Sequence, residues 1–231
     1  MKTLRILSGG AAQGLVEQLR PAFEAETGCT IDGTFGAVGA MRARLLGGDP
    51  ADLVILTRAL IEGLARDGHV AGATAADLGT VETAIAVRDG DAIPPVGDAT
   101  ALRTALLAAD AIHFPDPEQA TAGIHFAKVL KDLGIHGEVA GRLHTPPNGA
   151  TAMKALAASK ARRAIGCTQA TEILSTPGIV LVASLPAGCA LATVYTAAIS
   201  TKAEAAGDVA RLLALLTDTA GSAGRRQLGF V

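Results

Sequence analysis

The sequence predicts an α/β protein built as two lobes that share one chain. Short apolar runs alternate with segments of helical periodicity, the mark of helices layered on a sheet. Two longer extended segments, near residues 81 to 88 and 191 to 199, interrupt that rhythm where one lobe would hand over to the other. No linker, internal repeat or low-complexity tract separates the two βα-rich stretches.

The first lobe opens with a strand over Leu4 to Ser8. A helix follows on which Ala12, Leu15, Val16, Leu19 and Phe23 recur at i, i+3, i+4, i+7 and i+11 and which Gly28 ends. Cys29 to Phe35 is extended, and Met41 and Leu45 mark a second helix closed by Gly47-Gly48. After the Asp49-Pro50 turn, Asp52 to Leu56 is a buried strand, and Leu60, Ile61 and Leu64 face inward on a third helix. Val81, Thr83, Ile85 and Val87 then alternate with Glu82, Ala84, Ala86 and Arg88, the pattern of a half-exposed strand. In the second lobe, helices carry Leu102, Ala105, Leu106 and Ala109, then Ile124, Phe126, Leu130 and Leu133, then Met153 and Leu156. Strands are expected at Ala111 to Phe114, Ala164 to Thr168 and Ile179 to Leu185. A long strand, Leu191 to Ile199, and a helix with Val209, Leu212, Leu213 and Leu216 close the chain. Lobe one is thus residues 1–82 with 192–231 and lobe two 83–191, with the two handover strands as hinges.

Composition excludes several functions. With 20 basic and 22 acidic residues the chain of 231 carries a net charge of −2 and no basic stripe, so nucleic acid is not an expected partner. Aromatic residues make up 3% and Trp is absent, which leaves no raw material for a base-stacking platform or an aromatic box. No apolar run approaches the ~18 residues of a membrane span, so no membrane insertion is expected. The apolar run after Met1 is too short for a secretory signal. A cytoplasmic location is therefore expected for the sequence as it stands, and a periplasmic one if it is a processed mature form. Cys29, Cys167 and Cys189 lack Cys-x-x-Cys spacing, and the five histidines show no metal-ligand spacing. Buried free thiols, no metal, no cofactor and a monomer are the expectations.

The remaining chemistry sits at helix starts. Ser8-Gly9-Gly10-Ala11 follows the first strand but lacks both the phosphate-loop and the dinucleotide signatures. Small residues recur at Val38-Gly39, at Ala122-Gly123 and at Asn148-Gly149-Ala150-Thr151. Free N–H groups and the positive end of the helix dipole can surround a small anion there. No nucleophile elbow or acid–base pair is evident, so no catalytic residue is assigned.

The ordered set Pro21-Ala22-Phe23, Gly48-Asp49-Pro50-Ala51-Asp52, Asp116-Pro117, Ala122-Gly123-Ile124, Ala164-Ile165-Gly166 and Leu228-Gly229-Phe230 resembles the molybdate-binding branch of the type II periplasmic solute-binding proteins, the receptors of ABC importers. The resemblance covers essentially the whole chain. It implies two Rossmann-like lobes joined by two hinge strands and an anion held in a cleft between them, closed by hinge motion, with an ABC permease as partner. The ligand positions implied by the match are Gly10, Ala11, Val38, Gly39, Ala122, Ala150, Thr151 and Gln169; Gly9, Gly123 and Asn148 adjoin them and are candidates with them, and Ser8 and Thr57 are candidate hydroxyls nearby that do not fall on matching positions. The family's two serine ligands fall on Ala11 and Val38 and its tyrosine on Gln169, so a small carboxylate competes with a molybdate-like oxyanion as the expected ligand. The same fold also resembles that of aconitate isomerase. This implies an alternative, a cytoplasmic enzyme moving a proton on a small carboxylic acid, with His113, His125 or His144 as base.

Overall fold

The computed structural model describes residues 2–204, 206–218 and 222–231. In chain order its strands are β1 (Thr3–Gly9), β2 (Thr30–Gly36), β3 (Leu53–Thr57), β4 (Ala76–Arg88), β5 (Ala111–His113), β6 (Leu143–His144), β7 (Ala164–Gln169), β8 (Ile179–Ser184) and β9 (Ala192–Ile199). The helices are α1 (Gln13–Thr27), α2 (Val38–Leu46), α3 (Arg58–Arg66), α4 (Ala99–Ala108), α5 (Thr121–Asp132), α6 (His136–Val139), α7 (Gly149–Ala157), α8 (Ala170–Leu174), α9 (Ala206–Thr217) and α10 (Ser222–Gln227). The chain forms two compact units, Met1–Thr80 with Val194–Val231, and Val81–Thr193. It passes from one to the other inside β4 and inside β9.

In unit 1, β1 lies between β2 and β3 and is parallel to both, with Ser8 opposite Phe35 on one side and Ile55 on the other. β9 adds antiparallel to β3. The last four residues of β1 and the first four of β3 are buried without alternation, as in a parallel sheet covered on both faces. Phe23 and Val16 of α1, Ile61 and Leu64 of α3 and Leu212 of α9 are at most 1% exposed. Full burial of such side chains stabilises by roughly 1.5–3 kcal/mol each.

In unit 2, β4 lies between β7 and β8, antiparallel to both. β5 is parallel to β7 and to β6. Ile85, Leu102, Leu106, Ile112, Phe114, Phe126, Leu130 and Cys167 are among the residues of one core cluster, within which Phe114 and Phe126 meet edge to face at 5.2 Å.

Several expectations need correction. Ala84 and Ala86 are fully buried, so β4 is covered on both faces from Thr83 to Val87. Alanine on an alternating strand gives no polar signal either way, and neighbours close over it. Ile124 is 50% exposed, one position off the buried stripe of α5 formed by Phe126, Val129 and Leu130. Leu60 is only half-buried. The short elements α6, β6, α8 and α10 were not anticipated, because two to six residues are too few to show a period.

Two glycines in helices report opposite constraints. At Gly149 a Cβ would fall 1.8 Å from the Glu172 carboxylate and 2.3 Å from Thr168 Oγ1. At Gly63, inside α3, it would meet only the flexible tip of Arg66 at 3.8 Å. Chemical denaturation should therefore show Gly63→Ala stabilised by ~0.5–1 kcal/mol and Gly149→Ala destabilised by ~2 kcal/mol or more. Equal effects would contradict the packing described.

Candidate anion-binding site

In unit 1 the three parallel strands end at Gly9, Gly36 and Thr57, and each leads into a helix within a few residues. None of α1, α2 or α3 has a side-chain cap: Ala12 and Ala37 offer no oxygen, and Thr57 makes no capping bond. At α2 and α3 the first N–H groups thus lack both an intrahelical partner and a side-chain acceptor, whereas at α1 the Gln13 N–H is taken by the Gly10 carbonyl of the short 3-10 turn Gly10–Ala12. Ala11 and Val38 are buried, Gly10 and Gly39 half-buried. Gly9 is the close-approach point, since a Cβ there would lie 2.8 Å from Val38 Cγ1 and 3.0 Å from Tyr195 Cε1.

Two hydroxyls were expected here. Ser8 is fully buried and its Oγ donates to the Gly9 carbonyl at 2.9 Å, so it serves its own backbone. Thr57 is half-buried and pairs with Tyr195 across β3 and β9. Tyr195, buried beside Gly9, was missed, although it is the sequence's single tyrosine and lies on a segment already read as a strand.

Of the two unit 2 helix starts among the expected ligand positions, α5 is uncapped and α7 is filled. α5 follows Ala120 with no side-chain cap, and Ala122 and Gly123 are buried. A Cβ on Gly123 would sit 2.2 Å from the Asp116 carbonyl oxygen and 2.3 Å from that of Pro115, so glycine is required where the helix presses on this turn. Asp116 Oδ1 holds the turn by accepting the N–H groups of Glu118 and Gln119 at 2.7 and 2.9 Å.

At α7, Asn148 Oδ1 accepts from both the N–H and the hydroxyl of Thr151 at 2.9 Å. The Glu172 carboxylate accepts the N–H of Ala150, the N–H of Gln169 and the Thr168 hydroxyl, the last at 2.5 Å. The donors of Ala150 and Thr151 are therefore held by the protein's own oxygens. Sequence reading missed Glu172 because one of its partners, Ala150, lies on another helix start and α8 is too short to show a period.

Burial raises the Glu172 carboxyl to about 7, against the opposing pull of its three hydrogen bonds. Next to it Gln169 is 2% exposed, and neither its Nε2 nor its Oε1 has a hydrogen-bond partner among the described residues. Thr83, its cross-strand partner on β4, has an equally unpartnered Oγ1. Directly paired residues share one sheet face, so the two orphaned groups are neighbours.

Two of the three candidate histidines meet: His113 is buried, has no hydrogen-bond partner at either ring nitrogen among the described residues, and stacks on His144 at 4.7 Å. Burial, then His144 and Arg88, hold it down to about 4. His125 Nε2 lies 2.7 Å from the Cys189 carbonyl oxygen. The Cys167 thiol is buried and pushed well up, which makes it a poor nucleophile. Elsewhere in unit 1, a cavity of about 440 Å³ is lined by Arg5, Asp49, Asp52, His69, Lys202 and others. Acids and bases mix there, and Asp52 is held by the N–H groups of Arg5 and Glu204.

The two displaced groups give opposite pH responses. Glu172 rises from 4.5 to about 7 on folding, so its ionisation destabilises the fold as pH climbs through that window and its protonation restores stability as pH falls. His113 drops from 6.5 to about 4, so its contribution is full above pH 6.5 and lost on acidification toward 4. Each is worth on the order of 3 kcal/mol. Between pH 6.5 and 4.5 the two offset one another in the wild type. Unfolding free energies across this range should fall with acidification in Glu172→Gln and rise in His113→Gln; parallel slopes would contradict the assignment.

Comparison with known proteins places this geometry in a family. Aconitate isomerase from a Pseudomonas species is 27% identical over 212 residues, 87% of this chain and 77% of that protein. The periplasmic molybdate-binding protein of Azotobacter vinelandii superimposes with a TM-score of 0.81 at 18% identity, covering 99% of this chain and 98% of that one. The sulfate-binding protein of Mycobacterium tuberculosis H37Rv gives 0.78 at 16% identity, covering 100% and 86%. The fold is that of the periplasmic binding proteins, matched over the whole chain. Among the described residues no helix is long and apolar enough to cross a membrane. The family profile matches residues 4–231, and the chain belongs to the bacterial extracellular solute-binding proteins.

Proposed function

We propose that this protein binds a small anion, a carboxylate in preference to a bare tetrahedral oxyanion, as the solute-binding component of an ABC transporter or as a relative of such receptors. The observation that carries the reading is Gln169: a buried amide, 2% exposed, with both polar ends unpartnered and the unpartnered Thr83 hydroxyl beside it. Leaving such groups unpaired costs ~1–3 kcal/mol each, a cost that a bound ligand removes. An amide both donates and accepts, which suits a carboxylate ligand that also carries a hydroxyl or a protonated carboxyl better than a bare oxyanion that only accepts. The charge is met by N–H groups at the uncapped start of α5 in the same unit, Ala122 and Gly123. The molybdate- and sulfate-binding neighbours support an anion as ligand.

A second reading, an isomerase of a small carboxylic acid, is favoured by the aconitate isomerase relative and by Glu172, a buried acid poised near neutrality beside Gln169. It requires that trans-aconitate incubated with the protein convert to its cis isomer by proton NMR; an unchanged spectrum counts against it.

Thermal unfolding with molybdate, sulfate, phosphate, citrate and trans-aconitate tests the main reading. A ligand at 100 times its Kd adds ~2.7 kcal/mol, and a carboxylate should give the largest rise in Tm. Gln169→Ala should weaken that ligand about tenfold or more without lowering the Tm of the unliganded protein. No shift with any anion would contradict the reading.

A further inference from the structure

We propose that unit 2 recognises a hydroxyl carried close to the bound carboxylate, with Thr83 and Thr193 as specificity-determining residues, so that the ligand class is a hydroxy carboxylic acid. This rests on the anion-binding reading above and names the substrate class of that same site.

Strand register brings the residues together. Thr83 on β4 pairs with Gln169 on β7, and two residues along Ile85 pairs with Cys167, so these four side chains share one sheet face. Phe126 of α5 belongs to the core cluster that holds Ile85 and Cys167, so α5 covers that face. α5 follows β5, which is parallel to β7, and returns the chain to β6, parallel to β5. Its uncapped start, Ala122 and Gly123, therefore lies at the strand end that carries Gln169. On the other side of Thr83, β9 is the neighbour of β4, and the Thr83 N–H donates to the Leu191 carbonyl at 2.9 Å. Thr193 is two residues beyond Leu191, which puts it on the face of Thr83 and Gln169. All of these residues belong to unit 2.

Gln169, Thr83 and Thr193 are 2%, 1% and 8% exposed. Gln169 Nε2 and Oε1, Thr83 Oγ1 and Thr193 Oγ1 have no hydrogen-bond partner among the described residues. A carboxylate only accepts, so it can take protons from Nε2 and from the two threonine hydroxyls but leaves Gln169 Oε1 without a donor. A ligand hydroxyl supplies that donor and accepts a threonine proton in return. The three side chains carry no charge, so the group they meet is neutral, and the ligand's carboxylate goes to the N–H groups at the start of α5. Both lie at one strand end, which sets the hydroxyl close to the carboxylate. Resident water can satisfy the same four atoms. A site that keeps its water is indifferent to a ligand hydroxyl, whereas a site built around that hydroxyl rejects the analogue lacking it.

Isothermal titration calorimetry of the full chain with malate against succinate, with citrate against tricarballylate, and with molybdate tests this, because the members of each acid pair differ by one hydroxyl. In the wild type the hydroxy acid of at least one pair should bind ~tenfold or more tighter than its partner. Thr83→Val and Thr193→Val keep the side-chain shape and remove the hydroxyl. Each should cut that ratio roughly threefold or more without lowering the Tm of the unliganded protein, since the group removed has no partner there. The ratio is measured on the wild type, so the test survives a variant that fails to fold. Equal affinities within both pairs, or a preference unchanged in both variants, overturn the inference while leaving the anion site standing. Binding of molybdate with no binding of the four acids also overturns it. No binding of molybdate or of any of the acids overturns the anion-binding reading and the inference with it.

Discussion

A helix that begins where a parallel strand ends leaves its first N–H groups without partners, and in this protein most such starts have no side chain to cap them. Ala12, Ala37 and Ala120 precede α1, α2 and α5 without offering an oxygen. Capping residues are worth ~1 kcal/mol each, so their omission at three helices costs stability. The chain caps elsewhere, with Asp98 at α4 and Asn148 at α7, where the same physics applies. Uncapped starts cluster at the strand ends, where ligands of open α/β sheets bind.

The exception at α7 explains more than the rule. There the N-terminal donors meet a carboxylate, but it belongs to the protein. Glu172 shows that this edge of unit 2 can hold an anionic oxygen with backbone N–H groups and a hydroxyl. It removes Ala150 from the set of free donors, as Asn148 removes Thr151. The ligand is left with the amide of Gln169, the Thr83 hydroxyl and the start of α5. The near-neutral carboxyl and the depressed His113 are two consequences of packing titratable groups in an edge with few counter-charges.

Much of the architecture was legible in the sequence because apolar periodicity survives wherever large side chains alternate with polar ones. Leu15, Val16 and Phe23 on α1 and Leu102 and Leu106 on α4 are buried as their spacing implies. The pattern fails where residues are small or elements short: Ala84 and Ala86 read as exposed and are buried, and α8 has only five residues. The helix starts were visible through their glycines and alanines. Their occupancy was not, since whether a start is free depends on side chains distant in sequence, as Glu172 is from Ala150. Tyr195 was hidden for the same reason, its place beside Gly9 being set by the pairing of β9 with β3.

The central claim is that an anion is gripped by backbone N–H groups at the uncapped starts and not at the filled one. Amide proton and nitrogen shifts of the labelled protein, followed during titration with trans-aconitate and with molybdate, read this directly. The account predicts large downfield amide proton shifts at Ala122 and Gly123. Shifts that leave these two amides unmoved and concentrate at Ala150 and Thr151 would contradict it.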